Sequence, residues 1–310
     1  MRGDVSLIQL EYLVSLARER HFGQAATACN VSQPTLSVAI RRLERTLGVV
    51  IVHRGRRFDG FTAEGMRVVT WAHRILAERD ELFNDVDRMR GRLTATAHIG
   101  AIPTSVPASP LLTQRFLAQN PAATIRIDAL SSREIARRLA HFEIDAGLTY
   151  LDDETPPGYR RVELYRERYV LIAPASDPLM RGEKVGWAQA AGLRLCALTS
   201  AMRNRRIIDA YMAAEGAQCR PVVEADTVGA LYAHLTSLQL ATIASTAWLP
   251  AFGIPDGLAV RPMTTSDPGP AIGLILRNVE QQTIIGDALE AAATELNFDE
   301  MFSSTLKQWI

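Results

Sequence analysis

The sequence predicts an α/β protein in three parts: a small helical domain (residues 1–62), a long helix (63–92) and a larger domain (93–310). Two observations carry this prediction. Apolar residues follow helical periodicity up to about residue 92, and beyond it short apolar runs alternate with helical segments. The length of 310 residues is also sufficient for two or three domains, each with its own core.

Charge is distributed unevenly along the chain, although its net charge is zero. Residues 1–62 contain nine arginines and five acidic residues, residues 63–92 contain six of each, and the remainder contains 19 basic and 23 acidic residues. A basic domain on an acidic remainder is typical of a nucleic-acid-binding module.

The first domain is predicted to contain three helices. A helix from about Leu7 to Arg18 is followed by a break and by a short helix from Gln24 to Cys29. The third helix lies in the stretch VSQPTLSVAIRRLERTLG, which starts at Val31. Its predicted N-cap is Ser32, Pro34 lies in the first turn where no donor is needed, and Gly48 ends it.

The third helix is amphipathic. Leu36, Ile40, Leu43 and Leu47 form its apolar stripe, and the opposite face is polar. Taken alone, such a face is often merely solvated. A basic cluster, residues 53–57, follows the β-like run from Val49 to Val52, as the wing follows the recognition helix in a winged helix-turn-helix.

The segment from Leu10 to Gly65 strongly resembles the DNA-binding region of LysR-type transcriptional regulators. The residues that carry the resemblance are Ala25, Ala26, the run from Val31 to Ser37, Ile40, Leu43, Glu44, Leu47, Gly48, Arg54 and the run from Thr62 to Gly65. The chain departs from the family pattern at Cys29, Val52 and Phe61, which we interpret as substitutions within the core.

The resemblance implies that the third helix enters the major groove and that the wing holds the DNA backbone. The residues expected to approach double-stranded DNA are Ser32, Gln33, Pro34, Thr35, Ser37, Arg41, Arg42, Arg54, Arg56 and Arg57.

The long helix is predicted to start after Thr62 and to reach about Arg92. Apolar residues recur every seven positions in two series, Val69, Leu76 and Phe83, and Ile75, Leu82 and Met89. A surface helix packed on its own chain is the alternative. The resemblance implies instead a linker helix that forms a homodimer, with a homotetramer as the full assembly and a near-palindromic operator as its target.

The third part is predicted to form two α/β lobes joined by two crossovers around a cleft. Lobe I is expected at about 93–162 and 266–300, and lobe II at 163–265. Both contain strands that alternate with helices on a mostly parallel sheet, and Glu163–Ala173 is predicted as one strand that crosses into lobe II. The LysR family has this architecture, an effector-binding domain of the periplasmic-binding-protein type.

Two turns with free backbone N–H groups are expected to face each other across the cleft, one in each lobe, and helix starts of this kind favour anions. The alternative is that their hydroxyl groups only cap helices. We expect a small-molecule effector, an anion or carboxylate, to contact Thr104, Ser105, Tyr150, Thr199, Ser200, Arg203, Asp226 and Thr227. The words GLTYLDDE and LTSAMRNRR resemble those of LysR-type regulators associated with formate dehydrogenase operons.

The sequence gives little support to other functional classes of protein. No nucleotide-binding loop or metal-spaced Cys/His set occurs, so no cofactor is expected and an α/β enzyme is a weak alternative, as is a non-specific nucleoid-type DNA-binding protein. A thiol switch between Cys196 and Cys219 competes with the interpretation of Cys196, which lies inside an apolar strand, as an inert buried thiol. The lack of a signal peptide or a long apolar run predicts a cytoplasmic protein.

Overall fold

The computed structural model describes residues 4–53, 58–151, 158–264, 267–278 and 283–309. It contains two compact units. The first runs through Arg92 and includes the segment Ala140–Glu143, and the second comprises Leu93–Leu139 and Ile144–Ile310. No helix in the described ranges is long and apolar enough to cross a membrane.

The first unit starts with three helices around one apolar core. Helix α1 spans Leu7–Glu19, α2 spans Phe22–Ala28 and α3 spans Gln33–Leu47. The His21 ring ends the first connection, because its Nδ1 accepts hydrogen bonds from the backbone N–H groups of residues 23 and 24. Ala25 is fully buried, which permits the close packing of helices that small residues allow.

The ends of α3 confirm the sequence prediction. The Ser32 hydroxyl accepts a hydrogen bond from the Thr35 backbone N–H at 3.2 Å, Pro34 lies in the first turn, and Gly48 has a left-handed φ of 69°. The apolar stripe is shorter than predicted. Leu36 and Leu43 are fully buried, but Leu47 is 41% exposed, since the helix extends past the core at that end.

The wing follows α3 directly. Val52 pairs with Phe61 in an antiparallel bridge, and the Glu44 carboxylate accepts hydrogen bonds from the backbone N–H groups of Ile51 (2.8 Å) and Val52 (3.2 Å). The predicted contacts Arg54, Arg56 and Arg57 lie outside the described residues. Glu44 thus fixes the first wing strand to the recognition helix through two charge-assisted hydrogen bonds.

Helix α4 spans Ala63–Met89 and is capped by Thr62, whose hydroxyl accepts from the Gly65 backbone N–H at 2.8 Å. It ends three residues before the predicted Arg92. Gly65 lies against the backbone of Ile51, and a Cβ at this position would overlap the Ile51 carbonyl oxygen. The first turn of α4 can therefore pack here only without a side chain.

Lobe I of the second unit is built on a five-stranded sheet in the order β2-β1-β3-β10-β4. The strands are β1 (Thr96–Ala101), β2 (Thr124–Ala129), β3 (Ala146–Tyr150), β4 (Tyr159–Arg166) and β10 (Ala271–Arg277). The predicted alternation of strands and helices is present as a βαβαβ unit, with β1 parallel to β2 and β3. The sheet is mixed rather than mostly parallel, because β10 is antiparallel to both neighbours. The helices of this lobe are α5 (Ser109–Gln119), α6 (Ser132–Ala140), α11 (Ile284–Thr294) and α12 (Phe298–Lys307).

Lobe II has an antiparallel sheet in the order β8-β5-β9 and a parallel pair of β6 and β7. A bridge between Leu195 and Ala241 connects the two. The strands are β5 (Tyr169–Pro174), β6 (Cys196–Leu198), β7 (Val223–Ala225), β8 (Thr242–Ser245) and β9 (Leu258–Pro262). The helices are α7 (Trp187–Ala190), α8 (Arg203–Ala214), α9 (Val228–Leu238) and α10 (Leu249–Phe252).

The predicted strand Glu163–Ala173 is wrong as a single element. It is two strands in two sheets: β4 pairs with β10 in lobe I, and β5 pairs with β8 and β9 in lobe II. Glu167 and Arg168 lie between them and form the first crossover. The apolar run continues through the change of sheet, so its hydropathy does not mark the boundary.

Substitution of Gly65 tests the close contact between α4 and the wing. We expect Gly65→Ala to lower the free energy of unfolding of the first unit by about 1–3 kcal/mol, because the added methyl group must displace the Ile51 backbone. Thermal unfolding and operator affinity of the full chain measure the effect.

Gly229 provides the matched control. It lies in α9 with no atom within 4 Å of the position of an added Cβ, so Gly229→Ala should stabilise the helix by up to about 1 kcal/mol. Equal stability of the two variants would contradict the contact.

Candidate functional site

The polar face of α3 is the candidate nucleic-acid interface of the first unit. Ser32, Gln33, Pro34 and Thr35 are all exposed at its N-terminal end, and Ser37 is half-buried one turn later. The hydroxyl groups of Ser32 and Thr35 are 2.8 Å apart and share a hydrogen bond. Ser32 therefore caps α3 and at the same time presents an exposed hydroxyl group at the N-terminal end of the helix.

Arg41 and Arg42 continue this face towards the C-terminal end of α3, and both are exposed. The Arg41 Nε donates a hydrogen bond to the Ser37 carbonyl oxygen at 3.3 Å, which directs the side chain along the helix. The terminal guanidinium nitrogens have no hydrogen-bond partner within the described part of the chain. Arg41 thus retains the paired donors that suit a guanine edge.

Val38 is a residue of this face that the sequence interpretation missed. It is 54% exposed and lies one turn from both Thr35 and Arg41. The signal was available, since Val38 is three and four residues away from members of the polar stripe. An exposed apolar side chain on a groove-reading helix can contact the methyl group of thymine.

The interlobe region of the second unit contains a buried carboxylate that the sequence interpretation also missed. Glu167 is 1% exposed and lies on the first crossover. Its Oε2 accepts hydrogen bonds from the hydroxyl groups of Tyr169 (2.7 Å) and Tyr150 (2.9 Å) and a long one from Asn204 Nδ2 (3.5 Å). Tyr150 belongs to lobe I, and Tyr169 and Asn204 belong to lobe II, so one carboxylate holds donors from both lobes.

Burial raises the pKa of Glu167, and the hydrogen bonds from Tyr169 and Tyr150 oppose this shift. The other carboxylate oxygen, Oε1, has no hydrogen-bond donor among the residues that the structure describes. Burial and the nearby charge of Glu167 likewise raise the pKa of Tyr150, which keeps it a neutral donor. A carboxylate with one unsatisfied oxygen in a dry site favours a proton or a donor from a ligand.

Two predicted effector residues of lobe I lie at or next to this cluster. Thr104 is 2% exposed and close enough to Glu167 to lower its pKa, and its carbonyl oxygen accepts from the Trp248 indole at 3.0 Å. Tyr150, which the sequence predicted as an effector contact, lies inside the cluster and is 1% exposed. The Ser105 hydroxyl donates to the carbonyl oxygens of Ile102 and Leu148, so it already serves the turn.

The predicted residues of lobe II lie nearer the surface. Thr199 is half-buried, whereas Ser200, Asp226 and Thr227 are exposed. The Thr227 hydroxyl caps α9 by accepting from the Ala230 N–H at 3.2 Å, as the capping alternative expects. Within the described structure, Thr104 and Ser105 of lobe I form no hydrogen bond with Thr199 or Ser200 of lobe II.

The first turn of α8 divides its polar residues between two roles. Arg203 is half-buried at the first position, and Asn204 reaches Glu167. Arg205 is 7% exposed and bonds to Asp209 and Glu224, so it stabilises lobe II. The residue of this turn that contacts the buried carboxylate is therefore Asn204, whereas the sequence pattern predicted the charged Arg203.

A small cavity of about 10 Å³ borders Asn204, Trp248, Cys196 and Cys219. This volume accommodates about one water molecule, so a larger ligand requires the lobes to move. Burial raises the pKa of Cys196 to about 11 and also raises that of Cys219. Both thiols therefore stay protonated near neutral pH, which favours inert thiols over a thiol switch.

Comparison with known proteins covers both units. Residues 7–66 match the model of the bacterial regulatory helix-turn-helix protein, lysR family, and residues 90–294 match the LysR substrate binding domain. The chain is 30% identical over 319 residues to the DNA-binding transcriptional dual regulator OxyR of Escherichia coli (strain K12), which covers 98% of this chain and 99% of that protein. The HTH-type transcriptional regulator EstR of Acinetobacter baylyi is 35% identical over 175 residues, or 56% and 57% of the two chains.

Solved structures show the same fold. A full-length OxyR variant from Pseudomonas aeruginosa gives a TM-score of 0.73 at 24% identity and covers 94% of each chain. CbnR, a LysR family transcriptional regulator, gives 0.68 at 21% identity and covers 94% of this chain and 99% of its own. With matches to both family models and a full-length relative, this chain belongs to the LysR family of transcriptional regulators, with a helix-turn-helix and an effector-binding domain.

Proposed function

We propose that two copies of α3 bind the half-sites of a near-palindromic operator, and that a small carboxylic acid bound between the lobes modulates this binding. The exposed polar face of α3 is the observation that carries the first part. The family match favours a regulator over an enzyme and over a non-specific nucleoid-type protein. DNA-binding regulators of this family act in the cytoplasm, in agreement with the sequence prediction.

The chemistry of α3 fits recognition at base edges. Gln33 offers the amide that pairs with adenine, Arg41 the fork that pairs with guanine, and Val38 a surface for thymine. Ser32, Pro34, Thr35, Ser37 and Arg42 lie beside them, in positions suited to the flanking phosphates. A helix that contacts both phosphates and base edges can fix its own position along the duplex and also recognise the base sequence.

Arg41 gives the sharpest test of this interface. We expect Arg41→Ala to weaken operator binding by about 1–3 kcal/mol and to relax the preference at one base position, because a bidentate contact is lost. Gel-shift titration on operator and on random DNA at one fixed salt concentration measures both quantities.

Arg18→Ala is the matched control, since it removes the same charge from α1, where Arg18 pairs with Glu19. If Arg41→Ala lowered affinity for operator and random DNA equally, Arg41 would be a phosphate contact and not a base contact.

Helix α4 offers a face for a second copy of the chain. Val69 and Leu76 of the first predicted series pack into the core of the first unit, whereas Phe83 is 63% exposed. The whole second series is exposed: Ile75 by 40%, Leu82 by 62% and Met89 by 79%. We propose that this second series, together with Phe83, forms the seam of the homodimer, and that two dimers form a homotetramer.

A charge placed in the seam should separate the dimer. We expect Leu82→Glu to shift the protein to smaller species in analytical ultracentrifugation and to weaken operator binding by at least tenfold, since a single half-site is then bound. Leu238→Glu is the control, because Leu238 is 51% exposed at the end of α9 and lies outside the seam. An unchanged sedimentation profile for Leu82→Glu would exclude this seam.

The effector proposal rests on the cluster around Glu167. An anion that enters near Thr104 and Asn204 meets this buried acid, and the two can coexist only if they share a proton. The raised pKa of Glu167 makes it a suitable holder of that proton, and its unsatisfied Oε1 is available to the ligand. Arg203 and Thr199, at and before the start of α8, would complete the site from lobe II.

Oxidation of a thiol is a second candidate for the signal that modulates DNA binding, and the burial of the cysteines does not favour it. Relatives of this chain include proteins named hydrogen peroxide-inducible genes activator. Reaction of a cysteine with peroxide requires the thiolate, and burial disfavours this form at both Cys196 and Cys219. We therefore propose a bound ligand and not thiol oxidation as the signal.

Formate is the probe for the interlobe site, in view of the resemblance to regulators associated with formate dehydrogenase operons. We expect its affinity to fall as the pH rises above the pKa of Glu167, by up to about tenfold per unit, because the bound state retains a proton that the free protein has lost. Glu167→Gln should bind formate equally at pH 6 and 8, since its amide donates without titrating. Calorimetry at both pH values measures these affinities.

The hydroxyl groups of Thr104 and Thr199 allow a second test of the interlobe site. Thr104→Val combined with Thr199→Val should weaken formate binding by about fivefold or more, whereas Thr294→Val, which loses a hydroxyl from the surface of α11, should not. This site would be excluded if the double variant bound formate with wild-type affinity. It would also be excluded if the affinity of the wild-type protein for formate did not change with pH.

A further inference from the structure

A separate groove of about 340 Å³ lies beside the first crossover, between the end of β4 and α12. Arg166 and Arg168 line one side, and residues of α12 line the other. The volume falls within the range of small-molecule sites. The effector cluster does not include this groove, because Glu167 turns its side chain towards Tyr150 and Tyr169 while its two neighbours line the groove.

The charge of the groove is predominantly positive. Arg166, Arg168 and Lys307 line it together with a single acid, Asp299. Arg166 already pairs with Glu163. No carboxylate pairs with Arg168 or Lys307 among the residues described by the structure, and both are exposed. With Arg166 paired to Glu163, the groove retains two cations and one acid, so its lining carries a net positive charge that favours an anion.

The floor of the groove is apolar. Phe302 is 4% exposed, and its ring packs edge-on against Tyr165 with the centroids 5.0 Å apart, so its position is fixed. Leu306 lies one turn further along α12, and Thr246 completes the wall from lobe II. A ligand that fits has a negatively charged group for the rim and an apolar body for the floor.

We propose that this groove is a second ligand site, and that it binds a small carboxylate with an apolar body, of about the size of a benzoate. Arg168 and Lys307 hold the carboxylate by charge-assisted hydrogen bonds, and the body packs on Phe302 and Leu306. The site touches lobe I through α12 and lobe II through Thr246, whose N–H donates to the Arg168 carbonyl oxygen at 2.9 Å. A ligand here would therefore act on the same crossover as the effector.

The test uses 4-fluorobenzoate and ¹⁹F NMR on the full-length protein. We expect saturable binding at millimolar ligand concentration or below, weakened at least tenfold by Arg168→Gln combined with Lys307→Gln. Arg133→Gln, an exposed arginine of α6, is the matched control and should bind as wild type does. Two analogues test the two halves of the ligand: 4-fluorobenzyl alcohol lacks the charge and fluoroacetate lacks the body, and each should bind at least tenfold more weakly.

The two sites are separated by their variants. Thr104→Val combined with Thr199→Val should leave 4-fluorobenzoate binding unchanged, so failure of the interlobe proposal does not affect this one. Equal binding by wild type and the Arg168/Lys307 double variant would overturn the second site. So would loss of binding in the Thr104/Thr199 variant, or no binding by wild type at 10 mM.

Discussion

The effector domain depends on how the buried carboxylate of Glu167 is satisfied. An acid removed from water costs several kcal/mol unless hydrogen bonds or a proton replace its hydration. Here Tyr150 supplies a donor from lobe I, and Tyr169 and Asn204 supply donors from lobe II. Movement of either lobe changes the environment of the carboxylate, so its protonation and the lobe spacing are linked.

The crossover that carries Glu167 is short, so neighbouring residues face different surroundings. Glu167 lies in a dry cluster, whereas Arg168 faces an open groove with its charge unpaired within the described chain. A ligand bound at either proposed site would contact residues on or beside the same backbone segment. Modulation of DNA binding then requires that the ligand bind the two arrangements with different affinities.

Helix α4 divides its apolar residues between two tasks. Val69, Ala72 and Leu76 pack into the core of the first unit, and Ile75, Leu82 and Met89 remain exposed. One helix thus fixes α1 and the wing in place and also leaves an apolar face exposed. The recognition helix α3 makes the same division, with Leu36, Ile40 and Leu43 inside and Val38 and Arg41 outside.

The sequence alone determined the elements that depend on local interactions. The cap at Ser32, the proline in the first turn and the left-handed glycine at residue 48 define α3 within seventeen residues of chain, so its ends and its polar face could be predicted. The alternating pattern of lobe I likewise predicted strands that alternate with helices, and β1 to β3 with their helices follow this pattern. Which distant residues meet depends instead on long-range packing. Glu167 lay inside an apolar run that predicted one strand, and its donors come from residues as far away as Asn204, so its role follows from long-range packing rather than from local pattern.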